Sequence, residues 1–159
     1  MNGEKERPRR VPLPVLLLSA AGLLPPLMAL FVRLAAGARP ESPLPGTIGA
    51  LGLIYSALIL SFLGGIWWGV AVARVTRAEL PPLVGIAVTP TIVALVLIGL
   101  SLGRPMLAGI LLGLVILATP LVDRHLRTKR LVPPWWMRLR VSMSVLLGVL
   151  TIGLGLTAG

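Results

Sequence analysis

Five uncharged, predominantly apolar stretches take up most of this chain: residues 11–32, 46–73, 83–102, 106–122 and 141–156 contain no Asp, Glu, Lys, Arg or His. A helix in a soluble domain needs one apolar stripe, whereas these stretches are apolar around the whole circumference, as suits a helix surrounded by hydrocarbon. About 20 residues at about 1.5 Å each cross a hydrocarbon core of about 30 Å. The expected fold is an all-α integral membrane bundle of about five transmembrane helices. The balance of 56% hydrophobic against 13% charged residues fits that class and no ordinary soluble one.

The polar stretches at residues 1–10 and 123–134 are too short to bury a core of their own. Two regions are therefore expected: a basic cytoplasmic segment over 1–10 and a single membrane domain over 11–159, with spans near 11–32, 50–73, 83–102, 106–122 and 141–156. With no cysteine in the chain, disulfides, thiolate metal sites and thiol nucleophiles are excluded. The net charge of +10 would suggest nucleic acid in a soluble protein. Here the basic residues lie between the apolar stretches, so they are read as orientation signals and as contacts for anionic headgroups, and no nucleic-acid partner is expected.

Along the chain, Pro25 and Pro26 are expected to kink the first span. A basic start, an apolar run and the small residues at 34–38 also resemble a secretory signal, but the run is longer than a usual signal core and further spans follow, so an uncleaved helix is preferred. Residues 37–46, rich in Pro and Gly, read as an extended loop. The second stretch, 46–73, is 28 residues, about 42 Å as a helix, so it must tilt or protrude. Pro81 and Pro82 open the third span, and Pro90 should kink it, with Thr89 or Thr91 able to serve freed backbone groups. The short Gly103-Arg104-Pro105 link makes the third and fourth spans a tight antiparallel hairpin, and Pro120 is expected to weaken the last turn of the fourth.

Five spans put the N-terminus and the second and fourth loops on one side. Lys and Arg number four, two and six there, twelve of the fifteen in the chain, against Arg33, Arg39 and Arg104 on the other side. By the positive-inside rule the N-terminus is cytoplasmic and the C-terminus outside.

Several residues are candidates for interaction. Ala57, Ser61, Gly65, Gly69 and Ala73 recur at every fourth position of the second span, and Gly65/Gly69 and Gly109/Gly113 are GxxxG pairs at which another backbone can approach closely. The two pairs are expected to pack the second and fourth spans together or to serve a partner, with Gly64 beside them. Trp67 and Trp68, and Trp135 and Trp136 with Arg138 and Arg140, are expected as membrane-interface anchors. The alternative for the Trp67-Trp68 segment is a notch for a lipid, a quinone or another helix. Asp123, Arg124 and His125 could pair a carboxylate with an imidazole, but are read as a solvated loop. His125 is the only histidine, so neither a bis-histidine haem nor a metal site is indicated, and no cofactor is expected. No ionisable residue lies in the middle of a span, which argues against a proton-coupled pump.

Tyr55, the run from Leu60 to Gly65, Trp68-Gly69, Asp123, Pro134-Trp135-Trp136 and Leu139-Arg140 together resemble the domain of unknown function 3429 family, whose eukaryotic relative is transmembrane protein 69. The resemblance runs from the first span to the fifth. It implies a small multi-pass protein of a bacterial inner membrane, or of mitochondria in eukaryotes, and it implies no activity. Trp67 stands where relatives often carry a polar residue, which argues against a polar role there.

The function expected is therefore that of a non-enzymatic membrane protein acting through its surfaces, as a scaffold, stabiliser or assembly partner, with a membrane protein or a second copy as partner. The alternative is a carrier or flippase for a lipid or small hydrophobic molecule, and an enzyme would need Asp123, His125 and Tyr55 to converge. Because the chain lacks cysteine, single cysteines report topology directly: at Ser42 and Thr157 they should react with a membrane-impermeant thiol reagent from outside, and at Thr128 they should not. Reaction at Thr128 alone would invert the orientation.

Overall fold

The computed structural model describes residues 10–36 and 43–158. Its regular structure is wholly helical: α1 (Leu13–Ala21), α2 (Leu24–Ala36), α3 (Leu44–Arg74), α4 (Leu80–Ser101), α5 (Pro105–Thr128) and α6 (Trp136–Leu156). Taken with α1 and α2 as one broken span, five helices are long and apolar enough to cross a membrane. The basic residues before Arg10 and most of the loop expected at 37–46, Arg39 and Ser42 included, lie outside the described residues.

Prolines explain most of the departures from straight helices. Pro25 and Pro26 have no amide hydrogen, so the carbonyls of Ala21 and Gly22, four residues earlier, have no helical donor. The chain breaks there instead of merely kinking. The Leu23 amide turns back to the Ala20 carbonyl at 3.0 Å, and α2 starts at Leu24 with both prolines in its first turn, where an amide would be idle anyway.

In α4, Pro90 is buried and faces α3. A Cβ at Gly64 would stand 2.4 Å from the Ala87 carbonyl oxygen and 3.3 Å from Pro90, so only glycine lets α3 close on this bend. The two threonines act differently from expectation. Thr89 donates to the Gly85 carbonyl at 3.1 Å, not to Ile86, whose donor Pro90 removes, and Thr91 pairs with Ser61 of α3 at 3.0 Å.

Pro120 was expected to weaken the end of its helix, yet α5 continues two further turns to Thr128. The carbonyl deprived of its donor is that of Ile116, and the Thr119 hydroxyl donates to it at 2.8 Å. The helix survives because a neighbouring side chain replaces the missing amide. It ends in a reversal in which the Arg130 amide bonds the Arg127 carbonyl and the Leu131 amide the Leu126 carbonyl, both at 3.0 Å. Arg130 takes the left-handed conformation, with φ 56, that this cap usually gives to glycine. Leu131 and Leu126 then share one apolar cluster, which turns the chain back over the end of the bundle towards α6.

The helices pack as two close antiparallel pairs, α3 with α4 and α5 with α6. Along α5 and α6, a Cβ at Gly109 would lie 2.5 Å from the Gly155 Cα, and one at Gly113 would lie 2.7 Å from the Gly148 carbonyl oxygen. The second GxxxG pair thus meets α3, one of the two expected partners, only through the Leu53 side chain, 3.2 Å from a Cβ at Gly109, and makes its backbone-to-backbone contacts with α6. Its partners are glycines seven residues apart that show no short-range motif. Between the pairs, buried Ser56 of α3 and Thr151 of α6 are hydrogen-bonded at 3.0 Å.

The two ends of the bundle are tied differently. At one end Lys129, just after α5, pairs with Glu79, just before α4, at 2.6 Å, so the α3–α4 and α5–α6 connections lie together. At the other end Arg33 of α2 donates to the Thr157 hydroxyl at 3.0 Å and to the Thr157 carbonyl, fastening α2 to the end of α6.

Glycine packing makes a direct prediction. Gly113→Leu forces a side chain into the backbone of α6 and should cost about 1–3 kcal/mol or more. Gly99→Leu, where no atom lies within 4 Å of the new Cβ, should leave thermal stability in detergent unchanged.

Candidate functional site

Asp123 stands on the extra turns of α5 and is completely buried. A carboxylate in such a place must have its charge and lone pairs met. Its Oδ1 accepts hydrogen bonds from the indole Nε1 of Trp67, on α3, at 3.1 Å, and from that of Trp136, on α6, at 2.9 Å. Its Oδ2 accepts from Nε of Arg140, also on α6, at 2.8 Å, in a buried ion pair.

The network follows helical spacing. Thr119 and Asp123 are four residues apart on α5, and Trp136, Arg140 and Ser144 are four apart on α6, so each set lines one face. With the helices antiparallel, Trp136 meets Asp123, Arg140 bridges Asp123 and Thr119, and Ser144 meets Thr119. Arg140 Nη2 reaches the Thr119 hydroxyl at 3.4 Å, and Thr119 and Ser144 are 3.1 Å apart. Since Thr119 spends its proton on the Ile116 carbonyl, Ser144 is the donor in that last pair. No buried side-chain nitrogen or oxygen among the described residues lacks a partner.

This arrangement corrects several sequence expectations. Asp123 is part of a helix core, not of a solvated loop. Trp67, 3% exposed, is a buried donor to it and not an interface anchor. Trp136 is half-buried on the same carboxylate, and Arg140 is its ion-pair partner, not a headgroup anchor. Trp68 alone of the first tryptophan pair faces outward, so the two rings form no shared notch. Trp135 lies against Trp136 with ring centroids 5.9 Å apart, and Arg138 is exposed. His125 is exposed, and Tyr55 is twelve residues before Trp67 on α3, about 18 Å along the axis. The convergence an enzyme would need at Asp123, His125 and Tyr55 is not formed.

The small-residue stripe of α3 is also redistributed. Ala57 is fully buried and Ser61 bonds Thr91, but Gly65, Gly69 and Ala73 are exposed, and the space around a Cβ at Gly65 or Gly69 is open. Four residues turn a helix by about 400°, so a strict four-residue stripe drifts about 40° per step and leaves the core. Gly64, one residue off the stripe, makes the close approach instead.

Beside the network is a cleft of about 400 Å³, bounded by α1, α3 and α6, whose lining includes Trp136, Arg140 and Ser144. Both carboxylate oxygens of Asp123 are committed to donors, so chemically the network serves to hold α3, α5 and α6 in register. The network reaches the cleft through Arg140, Trp136 and Ser144, which belong to the cleft lining.

The family model described as a protein of unknown function, DUF3429, matches residues 11–156, and the chain belongs to that family. No curated protein matches it. No solved structure matches it either.

The network predicts a non-additive mutant series. Asp123→Leu strands the buried Arg140 and should cost about 3–5 kcal/mol, while Asp123→Leu with Arg140→Leu should recover much of that loss. Thermal unfolding of the single and double variants in one detergent measures it, and equal losses that simply add would contradict the coupling.

Proposed function

We propose that this member of the DUF3429 family is a non-enzymatic protein of a bacterial inner membrane that serves as a scaffold or assembly partner, presenting the outer face of α3 to another membrane-embedded helix. The observation that carries the reading is the exposure of Gly65 and Gly69 on a helix whose neighbouring Gly64 is spent on internal packing. Inside a bilayer, small residues on a lipid-facing side let a second backbone approach closely, where van der Waals contact replaces the hydrophobic drive that lipid removes. Phe62 and Trp68, both exposed on the same half of α3, give that approach large rings to pack against.

The orientation belongs to the same proposal. The end that carries the Lys129–Glu79 pair faces the cytoplasm, supported by the twelve-to-three distribution of basic residues. There Arg74, Arg77, Arg124, Arg127 and Arg138 meet anionic headgroups.

Extraction in a mild detergent followed by mass spectrometry of the intact complex tests the reading. A protein partner or second copy should be held at fixed stoichiometry and should be lost in Gly65→Leu/Gly69→Leu. That double variant should melt at the parent temperature, because nothing in the fold touches either position. Association that survives both leucines, or a protein that is never found associated, would end the proposal.

A further inference from the structure

α1 is held away from the bundle it accompanies. It has nine residues and none is buried. Val15, half-buried, and Leu18, 76% exposed, line the cleft of about 400 Å³ from the α1 side. Opposite them stand Phe62 and Ile66 of α3 and Met143 and Leu147 of α6. Protein interiors are close-packed, and an apolar gap of this size lies within the range that ligands occupy. Water gains little from such walls, so a hydrocarbon chain is the natural filling.

Length and polarity narrow the occupant. From Trp136 to Leu147 the α6 wall runs eleven residues, about 16 Å, close to half of a hydrocarbon core of about 30 Å. The cleft is therefore one leaflet deep. Arg140 and Trp136 lie towards the end that carries the α3–α4 and α5–α6 connections, Ser19 and Ser144 are its other polar residues, and its inner end is lined by Gly22, Leu23 and Leu147.

Arg140 is only 8% exposed. Its Nε and Nη2 are engaged by Asp123 and Thr119, and no protein hydrogen bond is made by Nη1 among the described residues. Because no buried side-chain nitrogen among the described residues lacks a partner, Nη1 is not sealed off, and Arg140 belongs to the cleft lining. Arg10 and Arg138 are exposed at the same end. The carboxylates described there, Asp123 and Glu79, are already paired with Arg140 and Lys129. Among the described residues, an arriving anion meets donors and positive charge with no unpaired carboxylate to repel it.

We propose that this cleft is a fixed site for one acyl chain of an anionic phospholipid from the leaflet at the α3–α4 and α5–α6 end, with a phosphate oxygen accepting from Arg140 Nη1. The site shares Phe62 with the α3 outer face but neither Gly65 nor Gly69, and it implies no movement of lipid across the membrane. It gives α1 the packing that the protein alone withholds.

The test uses the full chain, purified, stripped of lipid and titrated with phosphatidylglycerol or phosphatidylcholine of identical chains, with retained lipid read by native mass spectrometry. One phosphatidylglycerol per chain should remain, bound at least tenfold more tightly than phosphatidylcholine. Ser19→Trp, which fills the cleft from α1, should abolish retention of that lipid at an unchanged melting temperature. Arg140→Lys, which keeps the charge opposite Asp123 but removes Nη1, should reduce the preference for phosphatidylglycerol at least fivefold. Equal retention of both lipids, a variable number of lipids indifferent to Ser19→Trp, or no retained lipid would each overturn the site.

Discussion

A carboxylate inside a membrane bundle carries a desolvation cost that only well-placed donors offset, and Asp123 draws its three donors from two other helices. Because neither Asp123 nor Arg140 can be left unpaired, the ends of α3, α5 and α6 are held in a single register. That register sets the rest of the α5–α6 seam. With Arg140 opposite Asp123 and Thr119, the glycines further along meet as backbone-to-backbone contacts at Gly113 with Gly148 and Gly109 with Gly155. A shift of one residue along either helix would turn these faces apart and put side chains where backbone must pass.

Prolines shape what the ion pair holds. Pro120 removes the donor for Ile116, Thr119 replaces it, and the Thr119 oxygen, its proton spent, is left to accept from Arg140 and Ser144. A local defect in the helix is thereby joined to the buried network. Pro25 and Pro26 have the opposite effect: among the described residues no side chain donates to the freed carbonyls, the span divides into α1 and α2, and α1 stands beside the bundle with a cleft behind it. The same loss of an amide gives a continuous helix in one place and a break in the other, depending on whether a hydroxyl is within reach and on whether the prolines come singly or as a pair.

The interior of the molecule is chemically closed while two parts of its surface stay open. Every buried polar side chain described has a partner, whereas Gly65 and Gly69 face outward from α3 and the α1 cleft has Arg140 in its wall. Both features suit recognition within the plane of the membrane, one by close helix approach and the other by an acyl chain with an acidic headgroup.

The number of membrane-length helices and the clustering of basic residues at alternate connections were legible in the sequence, because each depends on unbroken apolar runs and the charges between them. Asp123, Trp67, Trp136 and Arg140 were visible as residues but misread as loop and interface groups, since each lies near the end of an apolar run. Their spacing, 119 with 123 and 136 with 140 and 144, was the available signal, but it becomes meaningful only once two helices are set antiparallel. The drift of a four-residue stripe likewise let Gly65 stand in for Gly64. The sequence by itself determined that this chain forms helices of membrane length and where their charges fall, because hydrophobicity and local backbone geometry are properties of each segment alone. The tertiary structure decided which faces meet, which prolines break their helix and which tryptophans reach the buried carboxylate, because those outcomes depend on donors and backbone supplied by residues distant in the chain.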